Sequence, residues 1–204
     1  MGYIKYGDSI RLANGYAFQS RTDQLWTSGY LGVGDTMSGL NNASKRVGAY
    51  AGYSDNDLQT QWKITSVATT GDGSSIFSGD QVRLQSPVGD EGYLALFNFN
   101  SPSNSGYPVA TTTYKSDATI DSVWTIFIYS GATANDARLS DKAYVYLVST
   151  FPKKDSRGEV VGTLAAALDT NGAGSAYSFQ YLVTGGRLIN RDGGSGSWQV
   201  TSVT

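Results

Sequence analysis

The sequence predicts an all-β protein of about twelve short strands, arranged as three four-stranded repeats with pseudo-threefold symmetry. Three observations carry this. The strand Gly79-Asp80-Gln81-Val82-Arg83-Leu84 has an earlier copy in Gly7-Asp8-Ser9-Ile10-Arg11-Leu12 and a looser later one in Ser140-Asp141-Lys142-Ala143-Tyr144-Val145-Tyr146-Leu147. Each copy is answered downstream by a Trp two places before a β-branched residue: Trp62 with Ile64, Trp124 with Ile126, Trp198 with Val200. Finally, 25 Gly against 4 Pro, with a hydrophobic fraction of 40%, suits short strands joined by many turns.

In the first set, Ser9 to Ala13 alternates with Ile10 and Leu12 on one face, the period of a half-buried strand, and Asn14-Gly15 ends it with a turn. Gly29 to Val33, Val47 to Tyr53 and Gln61 to Val67 supply the other three strands. The second set runs Gln81 to Gln85, Gly92 to Leu96, Pro108 to Tyr114 and Val123 to Tyr129, after a polar turn at Thr69 to Ser75. The third runs Ala143 to Ser149, Glu159 to Leu168, Tyr177 to Thr184 and Ser197 to Val203. Thr163 to Leu168 also contains good helix formers, but its flanking glycines and its place in the repeat favour a strand.

A set of four strands is too small to bury its own apolar face, so three sets must close on one another, as they do in a β-trefoil. The whole chain, 1–204, is then one domain, with repeats at approximately 3–71, 74–131 and 135–204. Residues two apart on a strand share a face, so each Trp and its β-branched partner point into the barrel. Ile10, Val82 and Val145 fill it as well, while Arg11, Arg83 and Tyr146 face outward.

At these residues the chain resembles the β-trefoil superfamily, the broad group of ricin-B-like, MIR-like and fascin-like modules. The Q-x-W signature of ricin-B lectins is absent: Thr60, Ser122 and Gly196 stand two before the three Trp residues. Through Gly29-Tyr30-Leu31 and Asn190 to Trp198 the chain is also similar to lectin-like trefoil modules of bacterial pore-forming and insecticidal proteins. That likeness implies glycan or receptor binding on a target cell.

Composition excludes several kinds of chemistry. There is no Cys and no His, which removes disulfides, thiolate nucleophiles, Ser-His-Asp and Cys-His catalysis, and tetrahedral zinc. The formal net charge is -2, with the basic residues scattered apart from Lys153, Lys154 and Arg157, so there is no stripe for nucleic acid. The N-terminus lacks the apolar run of a secretory signal, and no apolar stretch is long enough to span a membrane. The chain is expected to be soluble, either cytoplasmic or released by a non-classical route. No cofactor or metal is expected. Asp169 to Gly174 begins like a calcium loop, but Ala173 and Gln180 stand at ligand positions.

Sugar recognition needs an aromatic face for the pyranose C–H groups and amides or carboxylates for paired hydroxyls. The loops after each second strand hold that mixture: Asp35, Asn41 and Asn42; then Asn98, Asn100 and Tyr107; then Asp169, Asn171 and Tyr177. Trp26, which lies outside the Trp repeat, and Asn190 and Asp192 at a Gly-rich corner complete the candidate set. The expected function is that of a non-enzymatic, lectin-like module for a glycan or glycoprotein on a target cell, serving toxin targeting or defence. The alternative is a protein-binding trefoil, such as a protease inhibitor acting through Thr150 to Gly158, where Pro152 would stiffen a loop bearing Lys and Arg.

Overall fold

The protein is described here from a computed structural model that covers residues 2–18, 29–68, 71–98, 106–113, 119–130, 133, 135–174 and 177–203. Its strands are Ser9–Asn14 (β1), Tyr30–Thr36 (β2), Lys45–Tyr50 (β3), Trp62–Ser66 (β4), Gln81–Gln85 (β5), Tyr93–Phe97 (β6) and Tyr107–Thr112 (β7). They continue with Ile120–Asp121 (β8), Trp124–Ser130 (β9), Tyr144–Lys154 (β10), Val160–Ala173 (β11), Tyr181–Gly186 (β12) and Trp198–Ser202 (β13). The all-β class stands.

The trefoil of twelve strands in three four-stranded repeats does not. All thirteen strands belong to one antiparallel sheet, which closes into a barrel of ten strands with the others added to it. The physical reason is that the strands find partners across the boundaries of the expected sets. β1 pairs β13, β4 pairs β5, β9 pairs β10, and β12 pairs both β3 and β7, so no set is a unit of its own. One circuit of pairings runs from β1 through β4, β5, β9, β10 and β13 back to β1. The short β8 against β6 is an extra strand that no periodicity announced.

The core lies where the three Trp side chains meet the β-branched residues, with Trp62, Trp124, Trp198, Ile64, Ile126 and Val200 all buried. A buried indole N–H needs an acceptor. Trp62 donates to the Leu31 carbonyl at 3.0 Å, Trp124 to Leu94 at 2.9 Å and Trp198 to Leu168 at 2.9 Å. Each closing strand is thereby pinned to a strand some thirty residues earlier.

The strand starts are also held by a recurring exchange. Gly7 N–H donates to the Ile64 carbonyl, Gly79 to Ile126 and Lys142 to Val200. In return Ile64, Ile126 and Val200 donate to the carbonyls of Asp8, Asp80 and Ala143. The structural counterpart of Gly7 and Gly79 is therefore Lys142, two residues beyond the Ser140 that the sequence suggested. All three sit at positive φ, 94°, 98° and 66°, a conformation that glycine adopts freely and lysine must be held in.

Other expectations are corrected locally. Tyr177 to Gln180 is not strand but a turn that lays Phe179 over Gly34 and Gly48. A Cβ at Gly48 would come within 2.2 Å of the Phe179 ring, so glycine makes the approach possible. Thr163 to Leu168 is strand throughout. Arg11 does not face solvent: it is 6% exposed, lies over the Tyr53 ring at 4.0 Å, and donates to Thr60 Oγ1 and the Asp55 carbonyl. Among the described residues, no helix is long and apolar enough to cross a membrane.

The indole bonds make a definite prediction. Trp124→Phe removes the donor, shrinks the ring and leaves the Leu94 carbonyl unpaired in the core. Urea unfolding followed by circular dichroism should show a loss of about 2–4 kcal/mol with unchanged m. A loss below about 0.5 kcal/mol would show that the bond does not support the core.

Candidate functional site

The residue that follows each indole-accepting carbonyl is Gly32, Ala95 and Asp169 in turn. Two are small; the third is a carboxylate at 0% exposure. Because side chains alternate along a strand, Asp169 points away from the face that Leu168 gives to the core. It is roofed by the connection between β12 and β13, from Arg187 to Ser197.

Arg191 in that connection gathers the surrounding acceptors. Its Nη2 lies 2.7 Å from Asp192 Oδ2 and 3.7 Å from Asp169 Oδ2, and it donates to Asn171 Oδ1 at 3.3 Å and the Thr170 carbonyl at 3.4 Å. Its Nε donates to Asp192 Oδ2 at 2.8 Å. Among the described residues, these contacts use Nε and Nη2 and leave the Nη1 hydrogens for another acceptor. Asn190, at φ 57°, accepts the Gly194 N–H on its Oδ1, and the Ser195 hydroxyl oxygen accepts the Asp192 N–H at 3.2 Å.

Beneath the corner, Asn14 is a buried hub at the end of β1. Its amide donates to the carbonyls of Ser195 and Ser197 at 2.8 and 3.3 Å. Its oxygen accepts the Thr170 hydroxyl at 3.1 Å and the Tyr16 N–H at 3.0 Å. Tyr16 is thus tied to the same hub. Its ring is 41% exposed and stands edge-on to Tyr181, with centroids 5.9 Å apart. Tyr129 adds a hydroxyl contact to Ser197 Oγ at 2.8 Å.

Burial raises the Asp169 carboxyl above its ordinary range, with the Ser195 hydroxyl and the Arg191 guanidinium acting in the opposite direction. Neither carboxylate oxygen has a hydrogen bond of normal geometry. A buried carboxylate whose one ion-pair partner among the described residues is a guanidinium at 3.7 Å is an expensive arrangement for a purely structural residue. Among the described residues, no group of three or more acidic side chains is placed to hold a metal ion.

Of the residues expected to bind a ligand, the structure brings together Asp169, Asn171, Asn190 and Asp192. It scatters the others. Asp35 is exposed near the end of β2, and Asn41 and Asn42 are exposed on the connection that follows, where Asn42 turns at φ 64° and its carbonyl accepts the Thr112 hydroxyl at 2.7 Å. Asn98 is half-buried and donates its N–H to the Thr119 carbonyl at 2.7 Å. Tyr107 is 2% exposed and packs edge-on against Phe151, so it belongs to the core and offers no face to solvent. Tyr177 lies under the guanidinium of Arg46, away from the Arg191 corner. Trp26 and Asn100 fall outside the described residues.

Asn14, Tyr16, Thr170 and Ser195 were not singled out as site residues. The one legible signal was the substitution of Asp169 for the small residues of the other two copies. The alternative inhibitor segment is mostly strand: Pro152 pairs with Thr163 and Lys153 with Gly162. Only Asp155 to Gly158 turns, closed by the Gly158 N–H to the Asp155 carbonyl at 3.0 Å.

No protein-family model and no curated protein matches this chain. Solved structures resemble it in fold. A Caenorhabditis elegans protein of unknown function, from structural genomics, is 19% identical with a TM-score of 0.67, the match covering 99% of this chain and 97% of that one. The SDF2-like protein from Arabidopsis thaliana is 18% identical with a TM-score of 0.68, covering 98% and 94%. The S. cerevisiae protein O-mannosyltransferase Pmt1-Pmt2 complex, bound to its sugar donor, is 16% identical with a TM-score of 0.64, covering 98% of this chain and 26% of that one. The family expectation is corrected: these likenesses give no support to a ricin-B-type lectin or to a module of a pore-forming or insecticidal toxin, and a closed ten-stranded barrel stands where the trefoil was expected.

The Asp169 carboxyl makes the corner sensitive to pH. A group with a raised folded pKa binds its proton more tightly when folded, so its contribution to stability falls as pH rises from the ordinary 3.8 towards the raised value. Asp169→Asn cannot ionise. Its stability relative to the unsubstituted protein should therefore rise between about pH 3 and pH 7, as read by urea unfolding at each pH. A difference moving the other way would show that attraction to Arg191 outweighs burial.

Proposed function

We propose that the chain is a carbohydrate-binding module that recognises a glycan at the Arg191 corner without carrying out chemistry on it. The observation that carries this is the convergence of Asp169, Asn171 and Asp192 on one guanidinium, over the Asn14 hub that also holds the backbone of the exposed Tyr16. Neighbouring sugar hydroxyls act as both donors and acceptors. The Nη1 hydrogens of a planar guanidinium and the part-exposed carboxylate of Asp192 suit such a pair. An aromatic face accepts the C–H side of a pyranose.

Two further points support the reading. The corner occurs in the third set alone, as Gly32 and Ala95 stand where Asp169 does, so one glycan site per chain is implied. The fold is also shared with a segment of a protein O-mannosyltransferase solved with a sugar donor. The carboxylates of Asp169 and Asp192 both engage one guanidinium, whereas hydrolysis needs an acid and a base on opposite sides of a glycosidic bond.

A glycan array followed by calorimetry on the best hit tests the reading. Arg191→Ala and Asn171→Ala should abolish measurable binding, and Tyr16→Ala should weaken it roughly tenfold. Arg191→Lys keeps the charge and loses the planar fork, so it should also weaken binding. Folded protein with no glycan hits, or hits indifferent to these substitutions, would refute it.

A further inference from the structure

A cavity lies on the outer surface where β3, β7 and β12 meet. These strands pair with one another at Leu182 and Gly48, at Thr184 and Pro108, and at Arg46 and Ala110. Leu182 and Thr184 are two apart on β12 and share its outward face. Arg46, Pro108, Leu182 and Thr184 line the cavity, and Met37, Tyr177 and Phe179 wall it in. Its volume is about 120 Å³, open to solvent on one side.

The lining is apolar apart from Arg46, Thr184 and the Tyr177 hydroxyl. Thr184 Oγ1 is buried without a hydrogen-bond partner. The Arg46 guanidinium lies 4.2 Å from the centre of the Tyr177 ring and makes no ion pair among the described residues. The carboxylate across the strand pair from Thr184, Asp169, is already set against Arg191. Arg46 is therefore a cation held in place by an aromatic ring, at the lip of an apolar hollow, with its carboxylate-matching fork unused.

We propose that this cavity binds a small monocarboxylic acid with a compact apolar body, a single ring or a short branched chain. The volume bounds the buried part: a closed cavity of roughly 150 Å³ holds benzene, so this one, smaller and open on one side, takes only a compact apolar body and leaves the head group at the lip. Charge decides the head group, since a planar guanidinium pairs with a carboxylate through two parallel hydrogen bonds. The lining decides the body, because a sugar would need more polar partners than Arg46, Thr184 and the Tyr177 hydroxyl supply. The acid's apolar part lies against Phe179, Leu182 and Pro108, with its carboxylate on the Arg46 fork at the lip. The site is separate from the Arg191 corner and takes a different ligand class, so either can fail without the other.

The test compares benzoate with benzamide, which has the same ring and no charge, by calorimetry and by amide chemical-shift mapping on the full chain. Benzoate should bind saturably, more tightly than benzamide, with the largest shifts at Arg46, Tyr177, Leu182 and Thr184. Arg46→Gln should weaken benzoate roughly tenfold or more and leave benzamide nearly unchanged. Thr184→Val, which keeps the shape, should weaken benzoate by a smaller factor, and circular dichroism of both variants should overlay that of the parent. Equal affinity for the two ligands, no saturable benzoate binding, shifts elsewhere on the barrel, or indifference to Arg46→Gln would each overturn the proposal.

Discussion

The need of a buried indole N–H for an acceptor organises this structure. Three Trp side chains are large enough to fill the barrel, and their burial dominates the core. Each would leave an uncompensated donor in a low-dielectric interior if it could not reach a carbonyl. The carbonyls of Leu31, Leu94 and Leu168 meet that need at nearly the same distance. The carbonyl and the indole belong to strands with other strands between them in the chain, so satisfying the bond positions each closing strand against an earlier one. The exchanges at Gly7, Gly79 and Lys142 then fix where the barrel strands begin.

Once those bonds are made, the residue after each accepting leucine no longer has to serve the core. Gly32 and Ala95 leave the position unremarked. Asp169 uses it to place a carboxylate beneath a Gly-rich roof, where Arg191 collects Asp192, Asn171 and the Thr170 carbonyl. The glycines of that roof are needed for close approach: a Cβ at Gly194 would meet the Gly15 carbonyl oxygen at 2.6 Å. Both the polar corner and the Arg46 cavity thus arise on the outward faces of strands whose inward faces are fully occupied by packing. Their chemistry differs because their neighbours do. Arg191 is surrounded by acceptors, and Arg46 by rings and aliphatic walls.

The strands and the core were largely legible. The period-2 pattern placed Gln81–Gln85 at its observed bounds and put Ile10, Val82 and Val145 inside. The Trp pattern identified the largest buried side chains. Legibility failed where tertiary contacts override local pattern. Arg11 alternates like a surface residue but is buried beneath Tyr53, because a guanidinium can satisfy itself on a ring and a carbonyl. Tyr107 carries the composition of a sugar platform and yet packs on Phe151. Tyr177 and Phe179 look like strand residues but turn so that Phe179 can cover Gly34 and Gly48.

By itself the sequence determined the all-β class, the recurring strand, the identity of the three Trp anchors and the absence of Cys and His chemistry. These follow from residue type and spacing within a few positions of the chain. Only the tertiary structure decided how the strands join, in one sheet closed as a barrel rather than three sets of four, because edge pairing depends on which strands meet in space. It alone brought Asp169 and Asn171 to Arg191 and Asp192, some twenty residues on in the chain, and tied both segments to Asn14. A contact between such distant residues leaves no periodic trace in the chain. The one mark it left was a carboxylate where two earlier copies keep a small residue.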